Sequence, residues 1–138
     1  MTVVAGGTAT PEGRAAMRRA ASECVLRRGR LVVVTDTEFP RSPAEEELEA
    51  SSDELENAAA RLAGAGLQLE RIAVPPGAEF GAFLIDVAEK ERAELIVIGV
   101  RRRRPVGKLL LGSHAQRIVL EAACPVLAVK SDLPRTTA

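Results

Sequence analysis

The segment from Ala93 to Lys130 leaves this chain few folding options, because it reads strand, loop, helix and strand in unbroken succession. Leu95-Ile96-Val97-Ile98 is a short continuous apolar run stopped by Gly99, as expected of a strand covered on both faces. Ser113 is a favourable N-cap, and Gln116 three residues on completes a capping box, which predicts a helix start. Ala115, Ile118, Val119 and Ala122 then fall on one helical face. Pro125 ends that helix and leads into a second apolar strand, Val126-Leu127-Ala128-Val129. Where such a strand meets a helix N-terminus through a glycine loop, backbone N–H groups and the positive end of the helix dipole converge. That junction favours phosphate.

The rest of the chain repeats the alternation. Thr2 to Ala5 is a short strand ended by Gly6-Gly7, and Thr10-Pro11-Glu12 is a strong helix start. Met17, Ala20, Ala21 and Cys24 make a narrow apolar stripe, arginines 14, 18, 19, 27 and 28 lie mostly to solvent, and Gly29 is the expected C-cap. Leu31-Val32-Val33-Val34 is the next buried strand, ending at Thr35-Asp36, and residues 37–44 form a loop. Ser42-Pro43-Ala44-Glu45 opens a second helix with an acidic first turn, and Ser51-Ser52-Asp53 is a candidate break in it. Leu55, Ala58, Ala59, Leu62 and Ala63 resume its apolar face. Leu67, Leu69 and Ile72-Ala73-Val74 alternate more than the other strands and so belong nearer a sheet edge. Phe80, Phe83, Leu84, Val87 and Ala88 define a third helix after the Pro75-Pro76-Gly77 turn.

The order βαβαβαβαβ implies an α/β fold: a five-stranded parallel sheet, doubly wound, in a single domain over residues 1–130. Residues 131–138 are expected to form a flexible C-terminal tail. In such sheets ligands bind beyond the carboxyl ends of the strands, where the strand order reverses. The loops there are Gly6-Gly7-Thr8, Thr35-Asp36 and the segment from Gly99 onward.

Composition narrows the function. With 19 basic and 19 acidic side chains among 138 residues, net charge is zero, which argues against nucleic acid as the main partner. The absence of Trp and Tyr removes base-stacking platforms. No apolar stretch approaches the roughly 20 residues of a membrane span, and the N-terminus reads as a strand rather than a signal peptide, so a cytoplasmic protein is expected. Cys24 and Cys124 read as small buried hydrophobes in a reducing compartment. A single His and no paired Cys argue against zinc.

Three signals point to chemistry. Gly99 and Gly112-Ser113 bracket the loop, without the spacing of a P-loop or of GxGxxG. Arg101-Arg102-Arg103-Arg104, followed by Lys108, suits either an anion clamp or a solvated loop. His114 is placed to donate to a phosphate, yet no nucleophile–base set can be assembled around it, so no catalytic residue is assigned. Asp36 suits a ribose hydroxyl or a metal-bound phosphate, or an ordinary solvated turn.

Taken together, these residues resemble the universal stress proteins. Nucleotide-binding members of that family carry, after the fourth strand, Gly, two residues, Gly, nine residues, then Gly-Ser or Gly-Thr. Gly99 and Gly112-Ser113 match the first and last elements at the right distance. The flanks Leu95 to Gly99, Leu110 to Ser113 and Cys124 to Val129, with Pro11 to Ala16 in the first helix, are also similar. Two positions differ: Arg102 stands at the middle glycine, and Thr8 stands near where an acid usually ends the first strand. An Arg side chain prevents close backbone approach but can bind phosphate through its guanidinium, and Thr8 is a neutral hydrogen-bonding partner.

The resemblance implies an adenine-nucleotide alpha-hydrolase-like (Rossmann-like) fold. It also implies a module that binds ATP or another adenine nucleotide, with or without Mg, in stress response or signalling, with little or no turnover. Adenine and ribose would lie near Thr8, Asp36 and Gly99 and the phosphates near Arg102, Gly112, Ser113 and His114, with Gly6, Gly7 and Arg101 also in the nucleotide site. A homodimer through the last strand, Val126-Leu127-Ala128-Val129, is implied as well. The alternatives are a non-nucleotide-binding interaction protein of the same fold, whose arginine loop meets an unidentified protein partner, and a slow ATP hydrolase.

Overall fold

A computed structural model describes residues 1–36, 45–101 and 111–131. Nine elements alternate along the chain: β1 (Thr2–Gly7), α1 (Pro11–Arg27), β2 (Arg30–Thr35), α2 (Glu45–Gly64), β3 (Leu69–Ala73), α3 (Phe80–Lys90), β4 (Leu95–Val100), α4 (Ser113–Glu121) and β5 (Val126–Lys130). All strands pair in parallel, in the order β3-β2-β1-β4-β5. The chain winds outward from β1 to β3, then crosses back to place β4 on the other side of β1. The order therefore reverses between β1 and β4, and a crevice opens at the carboxyl ends of those two strands.

Strand alternation sorts the core into two layers. Val4, Val32, Val34, Ile96 and Ile98 face Phe80, Leu84, Ile85 and Val87 of α3 and Ile118 of α4. Val3, Ala5, Leu31, Val33 and Val97 face Ala16, Met17, Ala20 and Cys24 of α1 and Ala58 and Leu62 of α2. The interior strands β1, β2 and β4 are buried on both faces, whereas β3 and β5 are the edges. The more alternating β3 has the edge position expected of it. Both cysteines are free, as expected. Burial, reinforced by the neighbouring Glu23 carboxylate, pushes the Cys24 thiol up to about 11. No helix of the described residues is long and apolar enough to cross a membrane.

Several local expectations are corrected. Strand β1 runs through Gly6 and ends on Gly7, whereas Gly99 does not stop β4, which continues to Val100. The left-handed residue after α1 is Arg28, at φ 59°, not Gly29. The Arg28 guanidinium donates to the Ala65 carbonyl at 2.8 Å, which ties this turn to the end of α2. Gly29 instead lets the chain pass Met1, whose carbonyl would lie 3.1 Å from a Cβ there.

Ser51-Ser52-Asp53 does not break α2. Ser51 is buried, and Arg14–Glu47 and Arg18–Glu54 ion pairs, each 2.7 Å, flank it along the α1–α2 seam. The propensity penalty of two serines is a few tenths of a kcal/mol each, roughly, and tertiary packing overrides it. On α4, Ile118 is buried, but Val119 is 44% exposed and so lies off the apolar face. The opening of α2 at residues 42–44, the loop 37–44 and the tail 132–138 lie outside the described residues.

Candidate functional site

The crevice between β1 and β4 is a cleft of about 300 Å³. Of the residues singled out from the sequence, Gly6, Thr8, Asp36, Gly99, Arg101, Gly112 and His114 line it. They arrive from the ends of β1, β2 and β4 and the start of α4, so four segments distant in sequence converge. Gly7 lies on the opposite face of the sheet, where a Cβ would meet Val33 Cγ1 at 2.7 Å. Ser113 is exposed at the first position of α4 and is not part of the lining. Arg102, with Arg103, Arg104 and Lys108, lies outside the described residues.

The apolar part of the lining was not read from the sequence as a site. Phe80, Ile98, Val100 and Ile118 are core residues whose outer ends reach the cleft, joined by the half-buried Ala115. Core periodicity located most of them, but nothing in that periodicity distinguishes a residue that also walls a pocket. Glu12 was read as a first-turn acid of α1; it lines the cleft as well, and Arg101 reaches to 3.7 Å from it. Its side chain is only 14% exposed, so a carboxylate sits close inside a cleft that also presents Asp36.

Two glycines set how closely α1 approaches the strand ends. A Cβ on Gly13 would overlap the Thr8 carbonyl and hydroxyl, and one on Gly99 would overlap the Glu12 carbonyl. The first turn of α1 thus lies directly on β4, and Gly99 is a packing glycine as well as a cleft residue. Thr10 accepts from the Gly13 N–H at 3.0 Å and closes the N-terminus of α1; its hydroxyl also pairs with that of Thr8 at 3.0 Å. The Thr8 hydroxyl therefore serves the cap as well as facing the cleft.

The start of α4 is built differently. Its N-cap is Gly112, not Ser113, and among the described residues no side chain caps it. The expected capping box does not form; the Gln116 N–H bonds the Gly112 carbonyl as part of the helix. A Cβ at Gly112 would meet nothing within 4 Å among the described residues. Open backbone N–H groups at a nine-residue helix therefore border the cleft.

Glu79, absent from the sequence-based candidates, joins α3 to α4. It caps α3, accepting from Gly81 N at 3.0 Å and Ala82 N at 2.7 Å. The same carboxylate receives His114 Nδ1 at 2.7 Å and an Arg117 guanidinium nitrogen at 3.2 Å. Burial alone would push the Glu79 carboxyl up, but the Ala82 N–H, the His114 ring and the Gly81 N–H outweigh it. The group sits below the ordinary carboxylate value. Phe80 holds the His114 ring edge-on, with centroids 5.6 Å apart and planes at 69°. The sequence signal for Glu79 was faint: an acid just after Pro75-Pro76-Gly77 and just before an apolar helix, where Ser, Thr, Asp or Asn would have been read as a cap.

Comparison with known proteins agrees with this arrangement. The sequence pattern of the Universal stress protein family matches residues 1–130. A universal stress protein of Mycolicibacterium smegmatis is 41% identical over 128 residues, which span 93% of this chain and 96% of that protein. The structure of a universal stress protein from Archaeoglobus fulgidus superposes with a TM-score of 0.68 at 30% identity, covering 94% of this chain and 97% of that one. A universal stress protein from Archaeoglobus fulgidus in complex with dAMP gives a TM-score of 0.63 at 26% identity, covering 94% and 96%. With its parallel sheet ordered 3-2-1-4-5, its cleft at the β1–β4 reversal and these relatives, the chain belongs to the universal stress protein family.

Proposed function

We propose that this protein binds an adenine nucleotide, ATP or a related one, as a stress-response or signalling module with little or no turnover. The observation that carries this reading is the uncapped N-terminus of α4, open above Gly112 and bordering the cleft. A polar terminus left without a side-chain partner among the described residues suits a ligand that brings its own acceptors, and phosphate is the common one. Phe80, Ile98 and Ala115 provide an apolar wall for a base, and Asp36 is positioned for a ribose hydroxyl. Arg101 and the first turn of α4 provide the positive end. The dAMP complex of the Archaeoglobus fulgidus relative supports the same ligand class. Among the described residues no cluster of three His, Cys, Asp or Glu could hold a metal, so a Mg ion would share the oxygens of the ligand's phosphates.

Calorimetric titration of the stripped protein with ATP, ADP and AMP tests the reading. Binding that falls at least roughly tenfold in Gly112→Val supports it, since a Cβ there meets no described residue within 4 Å and would take space proposed for the ligand. No binding of any of the three defeats it. The other function of the fold, contact with a protein partner, would then take its place. Its support is Arg101, 68% exposed at the rim.

We also infer a homodimer joined through Val126-Leu127-Ala128-Val129. β5 is an edge strand with no strand on its outer side among the described residues, and Leu120 of α4 is 74% exposed. Sedimentation should show a dimer in the wild type and a monomer in Ala128→Lys; a wild-type monomer defeats the inference.

A further inference from the structure

The link between Glu79 and His114 asks more of the site than a helix terminus and an arginine do. Glu79 is ionised at neutral pH, so its oxygens only accept hydrogen bonds. The contact at 2.7 Å therefore requires a proton on His114 Nδ1. In the neutral ring the remaining nitrogen, Nε2, then carries only a lone pair. His114 lines the cleft, and Nε2 is the ring nitrogen left for a ligand. A lone pair facing a phosphate oxygen is repulsive. An anion can be accepted there only when Nε2 gains a proton.

We propose that the cleft takes up a proton together with an anionic ligand, with His114 as the acceptor and Glu79 as the positioning residue. In this way the site distinguishes a phosphomonoester from the corresponding neutral nucleoside. The inference rests on the nucleotide reading above. The proton comes from solvent and is added to Nε2; no bond to the ligand forms or breaks.

Charges of both signs surround the ring. Glu79, at the start of α3, favours the imidazolium, as do the cleft carboxylates Glu12 of α1 and Asp36 after β2. Three features oppose it: the positive N-terminus of α4, Arg117 one turn along α4, and Arg101 at the end of β4. Arg117 is itself shared between Glu79 and Glu121, at 3.2 Å from each. A phosphate adds negative charge to the cleft and tips the balance. Because the ring is half exposed, solvent screens the coupling and keeps it moderate.

His114 is the sole histidine, so its imidazole signals in nitrogen-15 NMR are assigned without ambiguity. In the ligand-free protein they should report the Nδ1–H tautomer, and Glu79→Gln should weaken that preference; glutamine keeps one acceptor oxygen for the Gly81 or the Ala82 N–H and so retains part of the helix cap. Calorimetry with AMP and adenosine, near neutral pH in two buffers of different ionisation enthalpy, measures proton uptake. Wild type should take up a measurable fraction of a proton with AMP and none with adenosine. His114→Gln should abolish that uptake and weaken AMP roughly three- to tenfold, with a smaller loss for adenosine. AMP binding without proton uptake, or with the same uptake in His114→Gln, overturns the inference and leaves the nucleotide reading standing. Failure of both ligands to bind overturns the nucleotide reading, and this one with it.

Discussion

The N-termini of α1 and α4 both border the same cleft, yet one is closed by the protein and the other is left open. At α1, the Thr10 hydroxyl takes the Gly13 N–H, Pro11 removes a donor, and Gly13 and Gly99 let backbone pack against backbone with no room for a Cβ. At α4, Gly112 offers no side chain, Ser113 caps nothing, and no described residue comes within 4 Å of a Cβ at Gly112. α3 resembles α1, since Glu79 closes it, but the closing group is shared with α4. The difference teaches where the fold invests its polar groups. Two helix starts are satisfied internally to hold the cleft's walls, and the third keeps its donors for something else.

That contrast can be broken at its closed end. Gly99→Val should be the most damaging change, because the new Cβ overlaps the Glu12 carbonyl and α1 must move off β4. A loss of about 3 kcal/mol, or failure to fold, is expected in urea denaturation. The matching change at the open end, Gly112→Val, should alter stability by less than about 1 kcal/mol while removing ligand affinity. If both glycines prove equally costly to stability, the distinction between packing and ligand glycines fails.

Thr10→Ala sharpens the comparison at smaller scale. Loss of one cap should cost about 1 kcal/mol. The analogous Ser113→Ala should cost almost nothing, because no cap is lost; equal shifts in the urea midpoint would argue against the assigned caps.

The smallest effect is that of pH. The Glu79 carboxyl is depressed in the folded protein, so its contribution to stability is present above the ordinary carboxylate value and fades as pH falls through the folded one. The difference in melting temperature between wild type and Glu79→Gln should therefore shrink in acid. A difference that grows as pH falls would contradict the sign.

Much of the fold was legible because each signal was local and repeated. Leu31 to Val34 and Leu95 to Ile98 read as doubly covered strands, Thr10-Pro11 read as a helix start, and the alternation of the two periods dictated a parallel sheet. Misreadings arose where a residue's role depends on what lies across from it. Ser51 looked like a break because its burial against α1 is invisible in sequence. Gly29 looked like a left-handed cap, when the constraint on it is Met1 passing nearby. Ser113 carried every local mark of an N-cap, yet the helix begins one residue earlier than those marks indicate.

The same division runs through the site. Gly6, Thr8, Asp36, Gly99, Arg101, Gly112 and His114 were found from sequence because each sits at a strand end or helix start, which topology sends to one crevice. Glu79 was missed because its importance lies in reaching His114, 35 positions away. By itself the sequence determined the order of elements, the burial of the inner strands and the end of the sheet where the cleft opens, since these follow from periodicity and chirality along the chain. Only the tertiary structure decided which helix start stays open and which carboxylate holds the single histidine. Those depend on distances between segments that share no local pattern.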